Sequence, residues 1–417
     1  MPHNSSGQSI ASRRQVLSTL GATGAFGLAG CLGSSSSGSS TITIGAMGQK
    51  QHPVGRGVLN AAKLAAKQLN NNGGILDRDI EVITKDTKGD PGTTKSVYQE
   101  LTGAQNVDAT MGIFSSEALL SLMPQIADKQ TIHMSTASKS PEVPRMVSDN
   151  YEKYKYVFRA GAVNSHFIGE HMLSYAEEQF SAMGWDRVAL LAEDYAWTQP
   201  IYDILNENLD DIATVPVTKR VAKGTSDFTP IYDEVESNDV DGAFVIFGHI
   251  GATALTQWKD QQRDFGFGGM HAQAIFPPFY QSTSGAPESV FSHTPATPQS
   301  QITEKTVPWA EAYKSEYGNY GADSVYPTRD AFTMLQTAAE EAGSFETDPL
   351  ISALESISTT GTQGQLEFYP NNHEFAHDVK YGEEYVKGVT MQWQDENMEV
   401  IWPGDTATSE YTSPSWL

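Results

Sequence analysis

Hydrophobic and polar positions change period repeatedly along the chain, and each change predicts an element. Thr41-Ile-Thr-Ile-Gly-Ala46 alternates β-branched residues and breaks at Gly48, the pattern of a short strand entering a loop. Ala61, Ala62, Leu64, Ala65, Ala66 and Leu69 then recur at helical spacing with Lys63 and Lys67 on the other side, which predicts an amphipathic helix from Val54 to Asn70. Asn70-Asn-Asn-Gly-Gly74 stops it, because Asn and Gly tolerate the left-handed conformation that ends helices. Asp79 to Asp86 alternates again, and a helix of this length lets the second strand lie parallel to the first in a right-handed βαβ unit.

The alternation continues. Thr93 to Gly103 reads as a helix and Ala109 to Phe114 as a buried strand; Ser115 and Ser116 sit at a helix start whose apolar face is Ala118, Leu119, Leu122, Ile126 and Ala127. Thr131 to Met134 is a short strand ending in Ser135-Thr136-Ala137-Ser138. A second series follows: helix Ser165 to Phe180, strand Arg187 to Ala192, a helix after Tyr195, strand Thr214 to Val221, a helix near Phe228 to Glu236, strand Gly242 to Phe247 and helix Ala252 to Phe265. Helices over Thr306 to Tyr317 and Tyr326 to Ala342 precede strands at Gln365 to Tyr369 and Tyr385 to Trp393. The fold class is therefore α/β with doubly wound, mostly parallel sheets, and 417 residues suit two lobes rather than one core.

The run Leu69-Asn-Asn-Asn-Gly-Gly-Ile-Leu-Asp-Arg-Asp-Ile-Glu-Val-Ile83, with Lys85-Asp86 and Asp90-Pro91 behind it, resembles the opening of the Leu/Ile/Val-binding protein family, extracytoplasmic solute receptors of one class of ABC importers. The resemblance implies a two-lobed type I periplasmic-binding-protein fold with hinge crossovers, the first of them at Tyr156 to Ala160. It assigns 41–158 and 274–345 to lobe 1, 159–273 and 346–400 to lobe 2, and 401–417 to a loose tail. It implies a monomer that works with permease and ATPase subunits and needs no cofactor.

Charge and the leader refine this picture. Lys and Arg number 27 against 51 Asp and Glu, a net charge of −24, which argues against nucleic acid or an anionic membrane surface as partner. Acidity spread over the whole length resembles secreted proteins of high-salt organisms. Arg13-Arg14 precedes an uncharged Gly/Ala-rich run from Val16 to Gly30 that is too short for a comfortable membrane span and resembles a Tat signal. Leu28-Ala-Gly-Cys31 resembles a lipobox, so residues 1–30 are expected to be a Tat-like lipoprotein signal and Cys31, the single cysteine, the lipid attachment point. Residues 31–40, rich in Ser and Gly, would tether the domain to the outer face of the cytoplasmic membrane.

In open α/β sheets ligands bind beyond the carboxyl ends of the strands, where helix N-termini present unpaired N–H groups. Ser115 and Ser116, and the cluster Ser135, Thr136 and Ala137, are the candidates in lobe 1, forming a neutral, donor-rich site that needs no buried cation. Gln49, in the loop after the first strand, joins them. In lobe 2, Tyr195 matches the family's tyrosine that covers the ligand, and Trp197 extends the aromatic wall. His249 stands where amino-acid receptors of the family place an acidic group for the ligand's ammonium, although Glu193 and Asp194 lie close in sequence. The expected ligand is thus a small polar solute, a branched-chain type amino acid or an amide or urea-like compound. Arg329 replaces a neutral side chain of the family.

Two other readings remain. A sensory ligand-binding component would share the fold. A zinc hydrolase would use His373-Glu-Phe-Ala-His377, which matches H-E-x-x-H, but zinc ligation needs both histidines on one helical face, and this stretch has no helical apolar stripe. No metal and no catalytic residue is expected.

Overall fold

The first helix shows how local sequence sets the architecture. Pro53 sits at its first turn, where a missing N–H costs nothing, and the helix runs Pro53–Asn71 with Val58, Ala61, Ala62, Ala65 and Leu69 buried against the sheet. Gly73 and Gly74 then take positive φ, and a Cβ on Gly74 would lie 1.9 Å from the Arg78 carbonyl, so the turn admits only glycine there. The computed structural model describes residues 41–161 and 163–417. The expected signal, the tether and Cys31 lie outside the described residues.

Strands β1 (Ile42–Gly48), β2 (Ile80–Asp86), β3 (Ala109–Gly112), β4 (Ile132–Ser135) and β5 (Val157–Arg159) form an all-parallel sheet of order β2-β1-β3-β4-β5. The central strands are buried throughout, as a sheet covered on both faces requires. The second sheet contains β6 (Arg187–Glu193), β7 (Thr214–Val221), β8 (Gly242–Phe247), β9 (Gly266–His271) and β10 (Phe291–Thr294). A short antiparallel pair, β11 (Thr359–Thr360) and β12 (Gln365–Leu366), precedes β13 (Val389–Gln394) and β14 (Asn397–Trp402), which join the second sheet antiparallel to give the order β14-β13-β10-β9-β8-β6-β7.

Three differences from the sequence expectation stand out. The chain does not return to the first lobe at residue 274: β9 and β10 are inner strands of the second sheet, and the return follows β10, before the helices Thr306–Tyr317 and Val325–Ala342. The helix Thr347–Glu355, expected in lobe 2, packs on the Val325–Ala342 helix instead, which itself packs on Pro53–Asn71. The last residues are not loose: Trp416 donates its indole N–H to the Arg263 carbonyl at 3.0 Å and packs on Trp258, while Gln392 binds the backbone of Thr412.

Buried polar groups pin the crossings between lobes. Arg159, at the end of β5, donates to Asp378 and to the Ser138 carbonyl, and Asn164 donates to the other Asp378 oxygen at 2.7 Å. Asp330, within the Val325–Ala342 helix, accepts from Thr362 N, Gln363 N and the Gln363 side-chain amide. Charges with this many partners tolerate burial, and they fix the crossing strands in one geometry.

Candidate functional site

Between the carboxyl ends of the two sheets lies a cleft of about 480 Å³. Its first-lobe wall begins at β1, where backbones meet closely: a Cβ on Gly48 would lie 2.4 Å from the Gly55 carbonyl, so glycine here lets β1 run straight into the Pro53–Asn71 helix. That approach aims Gln49 and His52 into the cleft. His52 caps the helix, its Nδ1 accepting from Val54 N at 3.3 Å, which leaves the ring proton on Nε2. Burial lowers its pKa against the opposing charge of Asp323, so the ring is a neutral donor. It stacks on Phe114 with centroids 4.6 Å apart and meets Phe276 edge-on at 5.9 Å.

After β3, Gly112 and Ile113 take positive φ, and Ser115 begins the helix Ser116–Lys129 by accepting from Ala118 N. A helix's first-turn N–H groups have no partner inside the helix, and Ser116 and Glu117 of this turn line the cleft. Ser116 Oγ lies 3.1 Å from Ser138 Oγ, drawing in the loop that carries Ala137 and Lys139. Lys139 makes an ion pair with Asp323 at 3.0 Å, both side chains largely buried in the cleft wall.

The second-lobe wall is aromatic and clamped from behind. Glu193, fully buried at the end of β6, accepts from Gly248 N at 2.8 Å, from His249 N at 2.7 Å and faces His249 Nδ1 at 2.7 Å. Burial works against its charge, but these hydrogen bonds outweigh burial and lower its pKa. A Cβ on Gly248 would sit 3.1 Å from the Trp197 ring, so the loop packs tightly on that indole. Tyr195 meets His249 edge-on at 4.7 Å, lies under the Lys223 ammonium and shares the cleft lining with the Glu117 carboxylate of the other wall. Burial and that carboxylate raise the phenol pKa to about 12. Met270, Ala272, Ile275 and Phe276 supply the apolar floor.

The structure brings Gln49, Ser115, Ser116, Ala137, Tyr195, Trp197 and His249 to this one cleft. Ser135 and Thr136 are not in its lining. Both are fully buried at the end of β4, where Thr136 accepts from the Thr328 hydroxyl at 3.1 Å, so that hydroxyl ties the Val325–Ala342 helix to the sheet. The cleft is also not without a buried cation, because Lys139 stands in its wall. Neither nearby acid replaces the family's lobe 2 carboxylate: Glu193 is engaged by the His249 loop, and Asp194 pairs with Arg220 at 3.3 Å on the surface. Arg329 lies in a separate pocket, stacked over Trp309 and donating to Thr333. His52, Lys139, Asp323 and Phe276 escaped sequence reasoning. Only His52 left a signal, as the residue before a proline that opens an apolar helical period.

The H-E-x-x-H stretch is a turn. His373 stacks on Tyr369 and accepts from Phe375 N, while His377 is buried between the Val157 carbonyl and Glu355. The two imidazoles face different partners, and no group of three or more His, Cys, Asp or Glu among the described residues is placed to hold a metal.

Among solved structures, a Silicibacter pomeroyi protein assigned to branched-chain amino acid ABC transport superposes with a TM-score of 0.78 at 19% identity, covering 90% of this chain and all of its own. The Streptococcus pneumoniae branched-chain amino acid binding protein LivJ, solved with isoleucine, gives 0.74 at 17%, with 90% and 100% covered. A Rhodopseudomonas palustris ABC transporter solute binding protein, solved with 3,4-dihydroxybenzoic acid, gives 0.69 at 17%, with 86% and 95% covered. At these identities the likeness shows the fold. The Halobacterium salinarum chemotactic substrate-binding protein BasB is 27% identical over 182 residues, 42% of this chain and 43% of BasB. The sequence pattern of periplasmic binding proteins matches residues 41–384, and the chain belongs to that family.

Proposed function

We propose that the protein is the extracytoplasmic substrate-binding component of an ABC importer, held to the outer face of the cytoplasmic membrane by lipid on Cys31. It works as a monomer, capturing a branched-chain type amino acid or an amide or urea-like solute between its lobes and presenting the closed form to a permease driven by an ATPase. The observation that carries this reading is the cleft: a helix N-terminus and polar side chains on one wall, and aromatic rings on the other. Such a site encloses a polar guest and offers it no activated nucleophile. Closure needs tighter binding in the closed form, so the ligand stabilises the protein by mass action.

Thermal-shift screening of the purified protein in high salt, against amino acids, amides, urea and small organic acids, tests the reading. A saturable rise in Tm with one class supports it, and a flat response to every class contradicts it. A second reading has its own observation: the partial match to BasB favours a receptor that reports its ligand to a chemotaxis transducer. Disrupting the gene separates the two, since an importer component loses uptake of the identified solute and a sensory component loses attraction to it.

A further inference from the structure

Asp323 is almost completely buried in the cleft wall, yet only half of its carboxylate is used. Oδ2 receives the Lys139 ammonium at 3.0 Å, while Oδ1 has no hydrogen-bond partner. Leaving one buried acceptor unsatisfied costs about 1–3 kcal/mol, more when it is charged, so a native structure keeps one where something else fills it. The Lys139 ammonium accounts for Oδ2 alone. The Val325–Ala342 helix that follows is anchored by its neighbour Ser324, whose hydroxyl donates to the Val54 carbonyl at 2.7 Å.

The surroundings say what fills it. The remaining first-lobe lining offers donors, His52 with its proton on Nε2, the Lys139 ammonium and the first turn of the Ser116–Lys129 helix, beside a second carboxylate, Glu117, which is exposed and already takes the Ser115 hydroxyl. A solute that is only an anion would find those donors but would face the Asp323 carboxylate and leave Oδ1 as it was. A solute with an ammonium beside its carboxylate satisfies both halves: the carboxylate takes the helix N-terminus and the spare Lys139 hydrogens, and the ammonium takes Oδ1. The Ser116–Ser138 contact, with Lys139 next in the chain, places these two poles on one wall.

We propose that Asp323 is the ammonium acceptor of this cleft and that the ligand is a zwitterionic α-amino acid held at both poles by the first lobe, its apolar side chain meeting Trp197, Met270, Ile275 and Phe276. This rests on the solute-receptor reading and moves the acidic contact from the second lobe, where His249 stands, to the first. Asp323 is then a specificity-determining residue. The open first lobe binds the ligand alone, and the second lobe closes over its side chain.

The test titrates the purified protein calorimetrically with each proteinogenic amino acid, with the des-amino acid of each binder (4-methylpentanoate for leucine), with urea, acetamide and benzoate. The expected result is that an amino acid binds at least about 30-fold more tightly than its des-amino counterpart, the value of a buried charged hydrogen bond. Asp323→Asn should lower the amino-acid affinity by a similar factor and bring the pair to within a few-fold of each other. The wild-type comparison stands even if the variant folds poorly. Des-amino acids, benzoate or amides that bind as tightly as any amino acid would overturn the assignment of Asp323 while leaving the receptor reading in place. Binding by none of these probes would contradict the receptor reading itself, and the assignment with it.

Discussion

At the scale of the residue, the second lobe is unusual for the number of imidazoles it buries. His171 and His293 meet edge-on at 4.3 Å, and His271 lies at the end of β9; His133 occupies the corresponding interior of the first lobe. Burial pushes their pKa values down, to about 3 for His133 and His293, to about 4 for His271 and well below the ordinary value for His171. The native state therefore refuses protons that the unfolded chain accepts below about pH 6.5. Stability should be complete above pH 6.5 and fall as the pH drops below it, by up to about 1.4 kcal/mol per pH unit for each imidazole. Ordinary carboxylates titrate below pH 5, so thermal melts between pH 6.5 and 5 read mainly the histidines. A Tm unchanged over it would contradict the burial described for them. Nothing along the chain separates these histidines from His249, which lies at the cleft, because a lone histidine carries no periodicity that reports burial.

At the scale of the element, the strands and helices with a clear period were legible: Val54 to Asn70 emerges as Pro53–Asn71, and Thr214 to Val221 appears with those bounds. Among the elements that escaped is β9, Gly266-Phe-Gly-Gly-Met-His271, a glycine-rich run without a clear period. Its reason is packing. A Cβ on Gly268 would lie 2.3 Å from the Phe291 ring, and one on Gly266 would lie 2.6 Å from Trp185, so large rings from neighbouring elements occupy the space of the missing side chains. Missing β9 displaced the expected return to lobe 1. Gly268→Ala should cost about 1–3 kcal/mol by overpacking, read from denaturant unfolding, whereas an unchanged midpoint would mean that Phe291 moves freely. Among site residues, the loops after β3 and β6 were legible because serines and aromatics follow apolar runs. Lys139 and Asp323 were not, because their pairing joins positions far apart in the chain.

At the scale of the whole molecule, two sheets face each other across a cleft, and the Tyr195 ring stands in its second-lobe wall. Tyr195→Ala removes that ring. Affinity for the identified solute should fall about tenfold, with the loss in the dissociation rate, as stopped-flow fluorescence would show. An unaltered dissociation rate would mean that the ring does not hold the closed form. The most direct test of the account is small-angle X-ray scattering of the purified protein, titrated with the solute that raises its Tm, followed by recovery of that solute. The account predicts that the radius of gyration falls to a plateau at one equivalent and that the solute is recovered chemically unchanged. A radius that stays constant through saturation, or a solute returned transformed, would contradict it.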